Sequence, residues 1–231
     1  MYSLVIPAHN ESENLPKLLE KAYSVLKKLG KFEIIVVNDN STDNSYEVLK
    51  NMKKKIKEIR IVNRRTNAGV GYAIREGLRN VKGDIIITMD ADLSHNPEEI
   101  PNFLKLLNRY DMICGSRYVQ GGRADMSYGR IVISGLFNVT FRNLIGIPIK
   151  DFTSGFRVYK TKIIRKIKLN SKKFGIYIEI PLKAHLAGFK LTEIPISYHK
   201  RKFGKSNLSY FKQGPEYLKV ALEALKMRIM K

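Results

Sequence analysis

Asp90 and Asp92, two carboxylates one residue apart, directly follow the apolar run Ile85–Met89. A β-branched run of this length, between a Gly-Asp pair and a polar loop, predicts a buried parallel strand with both carboxylates at its carboxyl end. Open α/β sheets bind ligands at that edge, and such a pair can share a divalent cation with the phosphates of a nucleotide. The alternative interpretation is a pair of loop or helix-capping aspartates, because short motifs have many false matches.

Most of the cationic side chains lie in the second half of the chain. Residues 115–231 contain 24 Lys and Arg against 6 Asp and Glu, a net charge of +18, whereas residues 1–114 contain 18 against 15. This asymmetry indicates a polyanionic partner for the second half, which could be nucleic acid, a phosphate-bearing substrate or an anionic membrane face. A solvated surface is the alternative, because runs such as Lys53–Lys55 are typical of exposed helix faces.

Length and composition indicate one folded domain spanning residues 1–231. With 44% hydrophobic residues, a chain of 231 residues can bury a substantial core. The single cysteine, Cys114, excludes an internal disulfide framework and a cysteine zinc site, which fits a reducing compartment. Strand-like residues begin at Leu4, which leaves no room for a secretory signal peptide, and no run approaches the ~20 apolar residues of a spanning helix. We therefore expect a soluble or peripheral protein of the cytoplasm.

Strands and helices alternate in the first half. Apolar runs predict the strands, and apolar residues at helical spacing predict the helices between them, the first of which Ser12 would cap. The predicted strands are 2–6, 32–37, 59–62 and 81–89, and the predicted helices are 15–29, 44–57 and one that begins at 67–71. Gly69 and Gly71 predict a tight turn and close packing there, or a weak phosphate loop. The repeat of roughly 25 residues is typical of a doubly wound, mostly parallel sheet with right-handed crossovers.

The second half contains two amphipathic segments. Its other predicted elements are a helix at 97–107, a strand at 112–117 and a loop at 119–128. A helix at 130–147 is apolar around much of its circumference, so it could pack as core or lie in an interface plane. A last helix after Pro215 has Leu218 and Leu222 on its apolar side and could rest on a membrane or pack on the sheet. The expected fold is an α/β sheet flanked by helices, with a C-terminal amphipathic and basic helical part.

Several polar motifs occur in one order, each at the carboxyl end of a predicted strand or in a loop that could reach it. They are Pro7-Ala8-His9-Asn10-Glu11, Val37-Asn38-Asp39-Asn40-Ser41-Thr42-Asp43, Asp90-Ala91-Asp92-Leu93-Ser94-His95-Asn96-Pro97, Gly115-Ser116-Arg117, Asp151-Phe152-Thr153-Ser154-Gly155-Phe156-Arg157 and Gly204-Lys205-Ser206. Together they resemble the inverting family 2 glycosyltransferases of the Rossmann-like GT-A fold. Within that family they are similar to the dolichol-phosphate mannose synthases and related polyprenyl-phosphate glycosyltransferases, over about residues 3–210.

The resemblance implies a nucleotide-sugar site built mainly from residues 1–114. Asp39 would contact the nucleobase, and Asp90 and Asp92 would hold Mg²⁺ or Mn²⁺ on the diphosphate. Ser94 stands where some relatives have a Gln that also binds the metal. The remaining donor-binding residues implied by the resemblance are Pro7, His9, Glu11, Val37 and Ala91, together with Arg201 and Lys205 in a mobile loop that closes over the donor.

The resemblance places the acceptor site in residues 115–231. Arg117, Arg130 and Ser134 would meet an acceptor phosphate, and the catalytic residues would be Asp92, Arg117 and Arg130. A lipid monophosphate has a second pKa near ~6 and arrives already anionic. It therefore needs cationic positioning, mostly by arginine, and no general base.

A hydroxyl acceptor would instead need a general base to remove its proton. The candidates in the second half are Asp151 and Glu179, which lie in apolar or Gly-rich contexts. The alternative for Asp151 is a structural carboxylate that pairs with a nearby arginine such as Arg157.

The activity implied by the resemblance is metal-dependent, inverting transfer of a hexose to dolichyl or another polyprenyl phosphate, with mannose from GDP-mannose as the favoured donor. The alternatives are a UDP-sugar such as UDP-glucose as donor, or a hydroxyl of a glycan, lipid or protein as acceptor. Nucleic-acid binding is not expected, because Asp39, Asp90 and Asp92 would repel phosphates without a metal. The expected location is peripheral, at the cytoplasmic membrane face, since each Lys or Arg near an anionic leaflet contributes about 1 kcal/mol.

Overall fold

The computed structural model describes residues 1–66, 68–126, 128–201, 203, 216–220 and 222–223. Its centre is a seven-stranded sheet with the strand order β3-β2-β1-β4-β7-β5-β8. These strands are β1 Tyr2–Ala8, β2 Phe32–Asp39, β3 Ile59–Arg64, β4 Ile85–Thr88, β5 Met112–Ser116, β7 Arg157–Lys160 and β8 Leu191–Pro195. A small second sheet pairs β6 Arg123–Ala124 with β9 Ser197–Tyr198.

Helices cover both faces of the central sheet. They are α1 Leu15–Leu29, α2 Ser45–Lys55, α3 Val70–Arg79, α4 Ile100–Leu104, α5 Tyr128–Ile145, α6 Thr161–Lys166 and α7 Ile176–Leu186. A 3-10 turn at Pro97–Glu99 precedes α4, and the described residues between 216 and 223 are helical as well. Among all the described residues, no helix combines the length and apolarity that crossing a membrane requires.

The strands bury side chains on both faces, which explains their continuous apolar runs. On one face, Leu4, Ile34 and Ile87 pack with α1 and α2, and on the other, Val5, Ile35 and Ile86 pack with α3 and α7. β1 pairs with β2 on one side and with β4 on the other, both in parallel. After β1, the chain adds β2 and β3 on one side of β1 and then β4 on the other side. Open α/β sheets bind ligands where the strand order reverses in this way.

Strand β7 is antiparallel to both of its neighbours, β4 and β5. Its first residue, Arg157, is therefore in register with Thr88, the last residue of β4, and with Cys114 in the middle of β5. The loop that enters β7 lies at the same edge, and Thr88 Oγ1 donates a hydrogen bond of 2.8 Å to the carbonyl of Gly155. This geometry brings the residues before Arg157 to the edge that carries Asp90.

The predicted α/β fold, a mostly parallel sheet flanked by helices, is confirmed, and local details differ. Asn14, not Ser12, precedes α1, and no side-chain hydrogen bond caps that helix. The continuous helix predicted at 97–107 is a 3-10 turn followed by the five-residue α4. Pro101 interrupts the helix because it has no N–H to donate.

The elements between residues 147 and 200 were not predicted from the sequence. β7 is only four residues long and ends in Lys160, so no alternating run marks it. α7 is buried nearly all round and contains Pro181, so it has no amphipathic period to detect. In the described part of the last helix, two residues of the predicted apolar side are exposed. Leu218 and Leu222 are 60% and 52% exposed, whereas Tyr217 and Val220 pack into the core.

Asp111, directly before β5, joins the sheet to α6 and β8. Its Oδ1 accepts a hydrogen bond from Lys160 Nζ at 3.0 Å and pairs with Lys162 Nζ at 2.8 Å. Its Oδ2 accepts a hydrogen bond of 3.1 Å from the backbone N–H of Lys190. Burial alone would raise the pKa of Asp111, but Lys162, the Lys190 N–H and Lys160 outweigh burial and lower the pKa from 3.8 to about 2.

We predict that Asp111→Asn lowers the free energy of unfolding by about 1 kcal/mol near neutral pH, a value discounted for solvent screening. A lowered pKa contributes stability that is present above the unfolded-state value and is lost as the pH falls toward about 2. The difference from wild type should therefore shrink on acidification. Urea unfolding over this pH range measures it, with Asp84→Asn as the control because Asp84 is exposed. A difference that is constant with pH would contradict the prediction.

Candidate functional site

A cleft of about 470 Å³ opens at the carboxyl edge of β1, β2 and β4. It brings together nine of the residues that the sequence assigned to a nucleotide-sugar or acceptor site, namely Pro7, His9, Glu11, Asp39, Asp90, Ala91, Asp92, Arg117 and Arg201. Residues that had no predicted role also line it, including Gly155, Phe174, Tyr177, Tyr198 and Tyr217. The cleft therefore combines side chains from both halves of the chain.

Asp39, the last residue of β2, forms one end of the cleft. Its Oδ2 accepts a 2.6 Å hydrogen bond from the backbone N–H of Gly69, and its Oδ1 pairs with Arg64. Burial raises the pKa of Asp39, and the Gly69 N–H and Arg64 offset only part of that effect. His9 Nδ1 lies 2.7 Å from the carbonyl oxygen of Asp39, which fixes the imidazole beside it. The carboxylate is thus held in place with acceptor capacity left for an N–H of a ligand.

Two asparagines shape the loops that form the rim of this end. Asn10 and Asn40 adopt left-handed backbone conformations, with φ of 57° and 56°. Asparagine tolerates this conformation better than most residues, so it suits both positions. Asn10 Oδ1 accepts a 2.8 Å hydrogen bond from the N–H of Thr42, and the N–H of Asn10 donates to Ser41 Oγ at 3.0 Å. The loops after β1 and β2 therefore support each other.

Asp90 and Asp92 lie in the middle of the cleft, each held by a neighbour. The hydroxyl of Tyr177 donates to Asp90 Oδ1 at 2.7 Å. Asp92 Oδ1 accepts hydrogen bonds from the N–H of Ser94 at 3.1 Å and from its hydroxyl at 2.5 Å. Ser94, which the resemblance placed near the metal, thus orients Asp92 with its hydroxyl. Arg201 Nη2 donates to Asp92 Oδ2 at 2.9 Å and lies 3.4 Å from Glu11 Oε1.

The pKa values of the two aspartates shift in opposite directions. Burial raises the pKa of Asp90, and the nearby charge of Asp92 adds to the rise. Burial would also raise the pKa of Asp92, but the Ser94 hydrogen bond, His95 and Arg201 outweigh burial and lower it. Burial lowers the pKa of His95, so its imidazole is neutral near pH 7. A divalent cation between the carboxylates would favour the charged form of both.

The carboxylate pair fits a hard cation that is also held by a ligand. Among the described residues, no group of three His, Cys, Asp or Glu could enclose a metal ion. Mg²⁺ commonly uses one or two carboxylates and completes its shell with substrate phosphates and water. Gly155 also approaches Asp90 so closely that a Cβ there would lie 2.6 Å from Asp90 Oδ1. The absence of a side chain at position 155 keeps this carboxylate accessible.

Arg117, and not Arg157, forms a buried ion pair with Asp151. Its Nε and Nη2 donate to the two oxygens of Asp151, both at 2.8 Å, and its backbone N–H adds a third bond of 3.0 Å. Burial would raise the pKa of Asp151, but Arg117 outweighs burial and lowers it. Arg157 Nη2 donates instead to the carbonyl of Phe152 at 2.7 Å. Asp151 is therefore ionised and fully hydrogen-bonded, which makes it a poor general base.

The residues that the sequence predicted to meet an acceptor phosphate are only partly described. Ser134 is buried on the inner side of α5, with its Oγ 3.5 Å from Thr153 Oγ1. Thr153 in turn accepts a 2.6 Å hydrogen bond from Arg117 Nη2, so Ser134 and Arg117 share a neighbour. The side chain of Arg130 and the whole of Lys205 lie outside the described residues.

Two predicted residues lie away from the cleft. Val37 points into the core between the sheet and α3 and does not line the cleft. The carboxylate of Glu179 is buried in α7, where it accepts hydrogen bonds of 2.8 Å from the N–H groups of Asn170 and Ser171 and 2.6 Å from Lys183 Nζ. These bonds fix the loop before α7, and this is a structural role.

Tyr177 is the main site residue that the sequence analysis missed. It lies in a run of apolar residues that reads as helix core, and no local pattern marks its hydroxyl as polar and functional. The fold alone brings it to Asp90, which is 87 residues earlier in the chain.

Comparisons with known proteins agree with this geometry. The family profile described as "Glycosyl transferase family 2" matches residues 3–168, which is most of the chain. The chain belongs to glycosyltransferase family 2. This membership confirms the predicted family and the predicted class of enzyme, a glycosyltransferase.

Two curated relatives of this family 2 glycosyltransferase match 89% of the chain. A dolichol-phosphate mannosyltransferase from Pyrococcus furiosus is 33% identical, and the chain spans only 58% of that protein's length. An undecaprenyl-phosphate mannosyltransferase from Micrococcus luteus is 30% identical over 86% of its length. The crystal structure of glucosyl-3-phosphoglycerate synthase from Mycobacterium tuberculosis, in complex with Mn²⁺, UDP and phosphoglyceric acid, superposes with a TM-score of 0.74. It is 16% identical and covers 97% of this chain and 78% of its own, so it confirms the GT-A-like fold.

We predict that Tyr177→Phe weakens Mn²⁺ binding roughly tenfold, because a partner that orients a ligating carboxylate typically contributes that much to metal affinity. Titration of Mn²⁺ monitored by electron paramagnetic resonance measures the effect without any substrate. The matched control is Tyr159→Phe, which removes another hydroxyl buried on the same face of the sheet. Equal Mn²⁺ affinities of Tyr177→Phe and wild type would show that the Tyr177 hydroxyl does not position Asp90 for a metal.

Proposed function

We propose that this protein transfers a hexose from a nucleoside diphosphate sugar to a polyprenyl phosphate with inversion, and that mannose from GDP-mannose is the favoured donor. The observation that carries the proposal is that Arg117, held by its ion pair with the buried Asp151, lines the same cleft as Asp90 and Asp92. It supplies a fixed guanidinium beside the donor site and leaves Asp151 unsuited to activating a hydroxyl. The names of the two curated relatives, both polyprenyl-phosphate mannosyltransferases, support the same acceptor and sugar.

In this proposal, Asp39 accepts a hydrogen bond from the nucleobase and the diphosphate lies over Asp90 and Asp92. Those two carboxylates would hold Mg²⁺ or Mn²⁺, which when bound neutralises the charge of the diphosphate leaving group. Arg201 already bridges Asp92 and Glu11, so its guanidinium is within reach of a phosphate bound at Asp92. The described residues therefore offer contacts for the base and the diphosphate.

The acceptor in this proposal is a phosphate monoester, which is itself the nucleophile. Because it is already anionic near neutral pH, no protein group must remove a proton from it. Its attack on the anomeric carbon needs alignment on the face opposite the leaving group. Arg117 is suited to this task because its guanidinium is fixed by Asp151 and also contacts the rings of Tyr118 and Tyr198, 5.3 and 5.2 Å from their centroids.

Helix α5 supports a polyprenyl acceptor because five of its described apolar residues are exposed. Tyr128 is 82% exposed and Leu136 is 68% exposed, and Val132, Ile133 and Val139 are about half exposed. The polar residues Ser134 and Asn138 are buried on its inner side. This reversal of the usual pattern is typical of a surface that lies against lipid. We therefore propose that the protein docks on a membrane through α5 and its basic second half.

The deciding experiment is transfer of labelled sugar from GDP-mannose or, in parallel, UDP-glucose to dolichyl phosphate, followed by extraction of the lipid. We expect label in the lipid from GDP-mannose, at a rate that falls about 100-fold or more with Asp92→Asn or EDTA. The control is Asp84→Asn, an exposed aspartate at the opposite edge of β4. If lipid is labelled from UDP-glucose only, the proposed donor is wrong. If the nucleotide sugar is hydrolysed in a metal-dependent way but no lipid is labelled, the proposed acceptor is wrong.

We also predict that Leu136→Glu reduces binding to anionic vesicles about tenfold, because a charge replaces an apolar side chain that would enter the lipid interface. Vesicle flotation measures the effect. Binding of a soluble nucleoside diphosphate should be unchanged, since Leu136 does not line the cleft. Asn51→Glu, on the exposed side of α2, is the control for the added charge. If both variants float like wild type, α5 is not the docking surface.

A further inference from the structure

The carboxylate of Glu216 is held by three backbone N–H groups. Its Oε1 accepts hydrogen bonds from the N–H groups of Lys172 and Lys173, both at 2.9 Å, and its Oε2 accepts one from Gly175 at 3.0 Å. Hydrogen bonds to an ionised acceptor are roughly twice as strong as neutral ones, and converging backbone N–H groups form an anion-binding site. Glu216 therefore fastens the C-terminal helical segment to the loop that precedes α7.

The absence of a side chain at Gly175 leaves space for the Glu216 side chain. A Cβ there would lie 3.0 Å from Glu216 Cγ, which is tighter than ordinary packing. Gly175 also directly precedes α7, so the positive end of that helix adds to the attraction for a carboxylate. The contact is thus formed by the local backbone and does not depend on flexible side chains.

The same loop packs against the end of the cleft that contains Asp39. A Cβ at Gly69 or Gly71 would lie 2.6 Å from backbone atoms of Ser171 or Lys172, so the two backbones are in direct contact. The N–H of Tyr72 also donates to the carbonyl of Lys172 at 3.2 Å. Because the N–H of Gly69 binds Asp39, the loop supports the backbone that holds this carboxylate.

Tyr217, next to Glu216, forms part of the cleft wall. It is only 3% exposed, and it lines the cleft together with Lys173 and Phe174 from the loop that Glu216 binds. Val220, one turn later, packs into the core below. The C-terminal segment therefore lines the same pocket as Asp39 and Gly69.

We propose that Glu216 is a positioning residue for the donor site, and that Tyr217 and Phe174 form the wall against which the nucleoside packs. This inference rests on the proposed function for the class of ligand, a nucleoside diphosphate. Aromatic side chains contribute to binding of any base, because every base has an aromatic face. The wall should therefore govern affinity for the nucleoside more than the choice of base.

The test compares Glu216→Gln with Glu223→Gln, which changes a carboxylate on the same helix that lies 3.8 Å from Lys183. Calorimetry with GDP and with UDP, each with Mg²⁺, gives Kd without any acceptor. We expect Glu216→Gln to weaken binding five- to tenfold for whichever nucleotide binds, because the amide N–H₂ group would face a backbone donor. Glu223→Gln should bind like wild type. Titration with Mn²⁺ alone should not distinguish the variants, since Asp90 and Asp92 are unchanged.

Tyr217 gives a second test that does not depend on the charge of Glu216. Tyr217→Ala should also weaken nucleotide binding five- to tenfold, and Tyr217→Phe should restore it because the ring remains. In turnover assays, KM for the donor should rise while kcat changes little. If Glu216→Gln and Tyr217→Ala both bind like wild type, the inference is wrong.

These outcomes separate the inference from the proposed function. Wild-type protein that binds GDP or UDP, but transfers no sugar to a polyprenyl phosphate, would contradict the proposed acceptor and leave the Glu216 contact supported by its own Kd values. Wild-type protein that binds neither nucleotide would overturn both.

Discussion

The placement of two neighbouring carboxylates, Asp90 and Asp92, in one cleft is the constraint on which the rest of the site depends. Removing a carboxylate from water is costly unless it is hydrogen-bonded or paired, and a nearby like charge adds to the cost. The structure compensates with a different partner for each. Tyr177 donates to Asp90, whereas Ser94 and Arg201 donate to Asp92. A pair of carboxylates in which one pKa is raised and the other lowered is suited to a cation that arrives with a ligand.

The fold satisfies this constraint by joining two parts of the chain at one edge. The parallel strands β1, β2 and β4 end there, so they deliver Asp39, Asp90 and Asp92. The antiparallel β7 starts at the same edge, which places Gly155 against Asp90. The second half of the chain then supplies the hydrogen-bond donors to these carboxylates, Tyr177 from α7 and Arg201 after β9. Neither half of the chain therefore contains all the residues of the site.

The first half and its motifs could be predicted from the sequence because their signals are local. A buried parallel strand is a continuous apolar run, and a polar residue after it lies at the ligand-binding edge. The second half depends on contacts between distant residues. The pairing of Arg117 with Asp151 across 34 positions has no local signature, and the sequence suggested a nearer arginine such as Arg157 as an alternative partner. The role of Tyr177 was missed for the same reason, and Val37 shows that belonging to a motif does not place a side chain in the cleft.

The Arg117–Asp151 pair also explains why the excess of positive charge in the second half matters. Asp151 fixes the guanidinium, so a bound phosphate would cost less side-chain entropy than with a free arginine. The same carboxylate cancels the net charge of Arg117, so the pair alone offers direction but little attraction for an anion. The long-range attraction must come from the remaining cations among residues 115–231, whose net charge is +18. In the proposed function, orientation and attraction of the acceptor phosphate are thus provided by different residues.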